Sequence, residues 1–72
     1  MNVSDSILQD IYHACQKQEF VTMRDLEFRT SFGERKLRPY LEDLKEAGMV
    51  LEHPEGFQIA PKGDIYYKSN WG

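Results

Sequence analysis

The sequence predicts a small α+β fold, mainly helical, with three helices, a β-hairpin and a short last helix. Three features predict it. Leu37, Leu41 and Leu44 recur at the spacing of one helical face, with Tyr40 beside them. This stripe stops at Gly48, the residue type best suited to the left-handed backbone just past a helix end. His53-Pro54-Glu55-Gly56 separates two short β-prone runs, with Pro and Gly where a compact turn wants them. Thr22, followed three residues on by Asp25, has the form of a capping box that opens a short helix ahead of the leucine stripe.

Taken in order, Ile7, Leu8, Ile11, Tyr12 and Cys15 share one helical face and predict a first helix over about residues 5–17. Ser6 with Gln9 offers a capping box there, and Ser4 an alternative cap. Phe20 and Val21 suit a brief strand. The second helix is expected over about 23–29, with Met23, Leu26 and Phe28 on its buried side. Thr30-Ser31-Phe32-Gly33 breaks it with two turn-forming polar residues, one apolar anchor and a permissive Gly. The third helix is expected over about 35–47. Pro39 is costly in a helix interior, about 3 kcal/mol, unless it lies in the first turn. The regular helix is therefore expected to start near Glu34 to Lys36 or to bend at Pro39. Residues 49–60 form the hairpin, with strands at Met49–Glu52 and Phe57–Ile59. Pro61 opens a last helix over about 61–69 that carries Ile65, Tyr66 and Tyr67, and Trp71 in the tail is a large apolar anchor.

A chain of 72 residues supports one domain over 1–72. Its single cysteine, Cys15, allows no internal disulfide and suits a reducing compartment. The longest apolar run, Gly48 to Leu51, is far short of a membrane span, and Met1 to Asp5 lacks the basic start of a signal peptide. A cytoplasmic protein is expected, and self-association as a homodimer would help stabilise so small a core. The net charge is −3, with 12 acidic and 9 basic residues. Its distribution is uneven. Arg24, Arg29, Arg35, Lys36 and Arg38 outnumber Asp25, Glu27 and Glu34 over residues 22–38, whereas Lys45 stands alone against five carboxylates over 39–60.

KLRPYLEDLKEAGMV, residues 36–50, resembles the recognition helix and first wing strand of winged helix-turn-helix regulators. GFQIAPKGDIYY, residues 56–67, is similar to the second wing strand and final helix of their small bacterial, archaeal and viral members. The resemblance implies a three-helix core, a two- or three-stranded wing, and sequence-specific binding of double-stranded DNA by a small transcriptional regulator. In that arrangement the third helix enters the major groove and its N-terminal residues meet base edges. On a helical wheel Leu37, Leu41 and Leu44 face inward, while Arg35, Pro39, Glu42 and Glu46 face outward with Arg38 and Asp43 on the flanks. Arg35 or Arg38 would give a bidentate contact to guanine, worth roughly 1–3 kcal/mol of discrimination. Arg24, Thr30, Ser31 and Lys36 would hold phosphates. The acidic Pro54-Glu55-Gly56 tip is poorly suited to the minor groove. The first helix and the aromatic C-terminal segment would form the dimer contact.

A different class of function stands beside this one. The acidic balance, the acidic wing and Pro39 also fit a winged-helix protein-interaction module, an accessory or viral factor that does not bind DNA. Catalysis is not expected, because so small a domain leaves little room for a pocket above about 300 Å³. No cofactor is implied, and His13 and Cys15 project from different sides of a helix, which argues against a shared metal.

Overall fold

The computed structural model describes residues 3–70. Along the chain run α1 (Val3–Gln16), α2 (Met23–Thr30), α3 (Glu34–Glu46), β1 (Val50–His53), β2 (Gly56–Ile59) and α4 (Pro61–Asn70). This is the expected α+β fold, with four helices and a two-stranded antiparallel hairpin. Its shape is compatible with a winged helix. Trp71, expected to anchor the tail, lies outside the described residues.

The core forms where the apolar faces of three helices meet the inner face of the hairpin. Ile7, Leu8 and Ile11 from α1, Leu26 from α2 and Leu37 and Leu41 from α3 are fully buried, and Leu44, Val21, Val50 and Phe57 nearly so. Burying each such side chain contributes roughly 1.5–3 kcal/mol. Val21 joins this core through its backbone as well. Its N–H donates to the Phe57 carbonyl at 3.0 Å and its carbonyl accepts the Phe57 N–H at 2.7 Å. The expected brief strand is thus a single bridge, and β2 runs between Val21 and β1.

Each helix of the core ends with a residue in the left-handed backbone region. Gly48, at φ 76°, does so without strain. There the Gly48 N–H donates to the Lys45 carbonyl and the Met49 N–H to the Leu44 carbonyl, both at 3.0 Å, which closes α3 in a Schellman motif. Gln18, at φ 59°, and Ser31, at φ 65°, do the same work after α1 and α2 with a Cβ in the way. The capping box of α2 is present in both directions, Thr22 Oγ1 accepting from the Asp25 N–H and Asp25 Oδ2 from the Thr22 N–H, each at 3.1 Å.

Several expectations change. Helix α1 starts at Val3, so Ser4 and Ser6 lie inside it and not at its cap. Phe28 is 89% exposed. It lies two positions after Leu26, roughly opposite it on an eight-residue helix that has only one fully buried position. The regular part of α3 does begin at Glu34, yet Pro39 falls inside the helix and not in its first turn. Its missing N–H leaves the Arg35 carbonyl without a helical donor, and both residues are exposed, so water can serve. His53 belongs to β1 and Gly56 to β2, paired with one another, so the turn proper is Pro54-Glu55.

Helix α4 docks through a glycine. A Cβ on Gly63 would overlap the Met49 carbonyl oxygen and press on Ile59. That same carbonyl accepts the Ala60 N–H at 2.9 Å. Gly63→Ala is expected to destabilise the domain by about 3 kcal/mol, most of the ~3–5 kcal/mol that a core of this size supplies. Urea unfolding followed by circular dichroism checks this. By contrast, Gln18→Gly and Ser31→Gly should each stabilise by about 0.5–1 kcal/mol in the same assay, by relieving left-handed strain.

Candidate nucleic-acid interface

The turn between α2 and α3 positions most of the expected contact residues. Thr30 sits at the end of α2, where its hydroxyl donates to the Leu26 carbonyl at 2.7 Å and accepts the Phe32 N–H at 3.2 Å. Both functions of the hydroxyl are thereby used in shaping the turn. Ser31 is exposed at the left-handed position. Gly33 precedes α3 and has no side chain to cap it. The Glu27 carboxylate on α2 takes over, accepting the Glu34 N–H at 3.0 Å. An anion already occupies part of the positive end of α3 and links it to α2.

The first turns of α3 then present the cations. Arg35 is exposed and, among the described residues, engaged in no ion pair; with Glu34, Arg38 and Pro39 it lines an open cleft of about 480 Å³. Lys36 is exposed too, its ammonium 4.3 Å from the centre of the Phe32 ring. Arg24 projects from α2 into a second open cleft of about 520 Å³, shared with Asp25, Phe28 and Arg29. Both concavities exceed the size expected of so small a domain. Both are open to solvent. Arg29 itself is turned toward α1, 3.7 Å from Asp10. Burial raises the Asp10 carboxyl above its ordinary range, with Arg29 and His13 pulling it back down.

Arg38 is placed differently from its neighbours. Its Nη1 donates to Glu52 Oε1 at 3.0 Å and Oε2 at 3.2 Å on β1, and to Glu42 at 3.3 Å one turn along α3. Its Nη2 lies 3.6 Å from Glu34. Lys45 closes the group, donating to Glu52 at 2.8 Å and Glu42 at 3.2 Å. The guanidinium and ammonium are both raised above their ordinary values, in each case first by the hydrogen bond to Glu52. Glu52 is correspondingly held below the usual carboxylate value, first by Lys45 and then, against some desolvation, by Arg38. The network ties α3 to the wing and carries one more carboxylate than it has cations.

Away from this face, Cys15 Sγ accepts the Ile59 N–H at 3.2 Å, and His13 Nε2 lies 3.3 Å from the Tyr67 hydroxyl. The two are engaged separately, and no group of metal-ligating side chains occurs among the described residues. Tyr12 stacks on Tyr67 with ring centres 3.9 Å apart, so the aromatic pair joins α1 to α4 within the chain. Among the described residues no helix is long and apolar enough to cross a membrane.

Sequence reasoning missed Glu52, Glu27 and Phe28 as parts of this surface. Only the run of charges at helical spacing hinted at the network; the link from β1 is a tertiary contact. Comparison with protein-family models, curated proteins and solved structures yields no match for this chain.

The pairing of Glu52 has a pH signature. Because its carboxyl is held below the ordinary 4.5, its contribution to stability is complete above that value and is lost as pH falls through the lowered one. Wild type should melt slightly above Glu52→Gln at neutral pH. That lead should shrink below pH 4.5 and vanish in stronger acid, as thermal scans across pH will show.

Proposed function

We propose that this chain binds double-stranded DNA through the α2–α3 turn and the first turns of α3, as a small transcriptional regulator. The observation that carries the reading is Arg35, a long, exposed cation with no ion pair among the described residues, at the start of a helix whose opposite face is locked into the core by Leu37, Leu41 and Leu44. Lys36 and Arg24 extend the same charge, and the exposed Ser31 hydroxyl offers a phosphate donor. Arg35 is the residue for base edges, because it is at the N-terminal end of the helix that a helix-turn-helix lays in the major groove. Arg24, Lys36 and Ser31 would set the register on phosphates. The wing tip contributes little, since Glu55 would face the backbone. Two copies related by a two-fold axis would double this footprint. The α1–α4 side, where Ile65 is 65% exposed, is the face left for that contact.

A protein-interaction role draws on one specific observation, the almost fully exposed Phe28 beside Arg24. The two readings differ in salt dependence. On a labelled random duplex, where no base sequence is read, Arg35 would join Arg24 and Lys36 on phosphate, and binding should weaken roughly 40-fold between about 50 and about 200 mM salt. The double variant Arg24→Ala with Arg35→Ala should lose most of that slope, read by fluorescence anisotropy. Absence of binding at the lowest salt favours the protein partner.

A further inference from the structure

The ion-pair network on α3 and β1 has a consequence for how DNA would be engaged. Arg38 lies four residues after Glu34 and four before Glu42, so it is flanked on its own helix by carboxylates at both neighbouring turns. Those pairs leave the guanidinium room to swing. The contact from Glu52 does not, because it comes from another element and is bidentate on one nitrogen, with both carboxylate oxygens within 3.2 Å of Nη1. Lys45 holds Glu52 from the other side at 2.8 Å, which keeps the carboxylate aimed at Arg38. In the free protein the fork of Arg38 is thus filled by anions that imitate the phosphate or guanine edge it would otherwise meet.

We infer that Glu52 acts as an electrostatic brake on DNA engagement, occupying Arg38 from the wing so that only a duplex able to displace it recruits the third cation of α3. The inference rests on the DNA-binding reading above and concerns the regulation of that same face. Glu52 is here a positioning residue: it touches Arg38 and not the nucleic acid. Its effect is to lower affinity for any duplex and to reserve Arg38 for sites whose phosphate or base geometry competes with a bidentate carboxylate. It also accounts for a carboxylate on β1 beside the reading helix.

Glu52→Gln keeps the size of the side chain on an exposed strand position while removing its charge, so the fold should persist, as checked by circular dichroism. Titration of a labelled random duplex should then show about three- to tenfold tighter binding than wild type. The slope of log affinity against log salt should steepen by about 0.9, the signature of one more phosphate contact. Arg38→Ala alone should change little, and Glu52→Gln with Arg38→Ala should return to the wild-type level. Glu55→Gln removes the same charge from the wing tip, where no ion pair forms among the described residues, and should gain less than about twofold. If wild type binds and Glu52→Gln binds no better, the brake is overturned while DNA binding stands. An equal gain in Glu55→Gln, or a gain that survives Arg38→Ala, overturns it as well, because charge alone would then explain the effect. If neither wild type nor Glu52→Gln binds any duplex, the DNA reading falls and takes the brake with it.

Discussion

The backbone of Met49 is the point on which the other elements depend. Its N–H closes α3 by reaching the Leu44 carbonyl, and its own carbonyl accepts the Ala60 N–H and supports Gly63. One residue therefore ends the third helix, aligns the start of the hairpin with its finish and seats the last helix. Gly48 makes this possible by turning the chain through the left-handed region without strain. Both ends of the hairpin are tied to Met49, so its base is held beside the end of α3. In that arrangement Glu52 lies within hydrogen-bonding distance of Arg38.

The electrostatics of the surface follow from that geometry. A mostly acidic protein can still present a cationic contact face if its carboxylates are spent on one another's counter-charges elsewhere. Here the division is only partial. Among the described residues Arg35, Lys36 and Arg24 enter no ion pair, whereas Arg38 and Lys45 are engaged by Glu34, Glu42 and Glu52. Glu27 sits at the N-terminus of α3, where a bare helix end would attract a phosphate. Any nucleic-acid contact therefore depends on a few side chains and little on the helix dipole, which implies modest affinity and strong dependence on salt.

Local chemistry was legible in the sequence; long-range chemistry was not. The leucine stripe of α3, the capping box at Thr22, the glycine stop at Gly48 and Pro61 at the head of α4 are each decided by residues within one or two turns, and each appears where its signal stands. Phe28 misled because hydrophobicity alone assigns it to the core, while the direction it projects from a short helix assigns it to solvent. Pro39 pointed to a helix start near Glu34, which the structure has, but not to its own place beyond the first turn, where the Arg35 carbonyl it leaves without a helical donor is on an exposed residue. At the candidate interface, Arg35 and Lys36 could be placed on the outward face from periodicity. The confinement of Arg38 could not, since its decisive partner lies fourteen residues away on a strand. Gln18 and Ser31 show the same limit in the backbone: left-handed turns without glycine leave no mark in the sequence.

The most direct test of a DNA-reading face is a two-dimensional nitrogen–proton spectrum of the labelled protein titrated with a short duplex. Amide shifts confined to Arg24 and to Ser31 through Arg38, with Glu55, Gly56 and the outer face of α4 unmoved, are the predicted result. Shifts centred on Phe28 or Ile65 with the start of α3 silent, or no shifts at all at low salt, would contradict it.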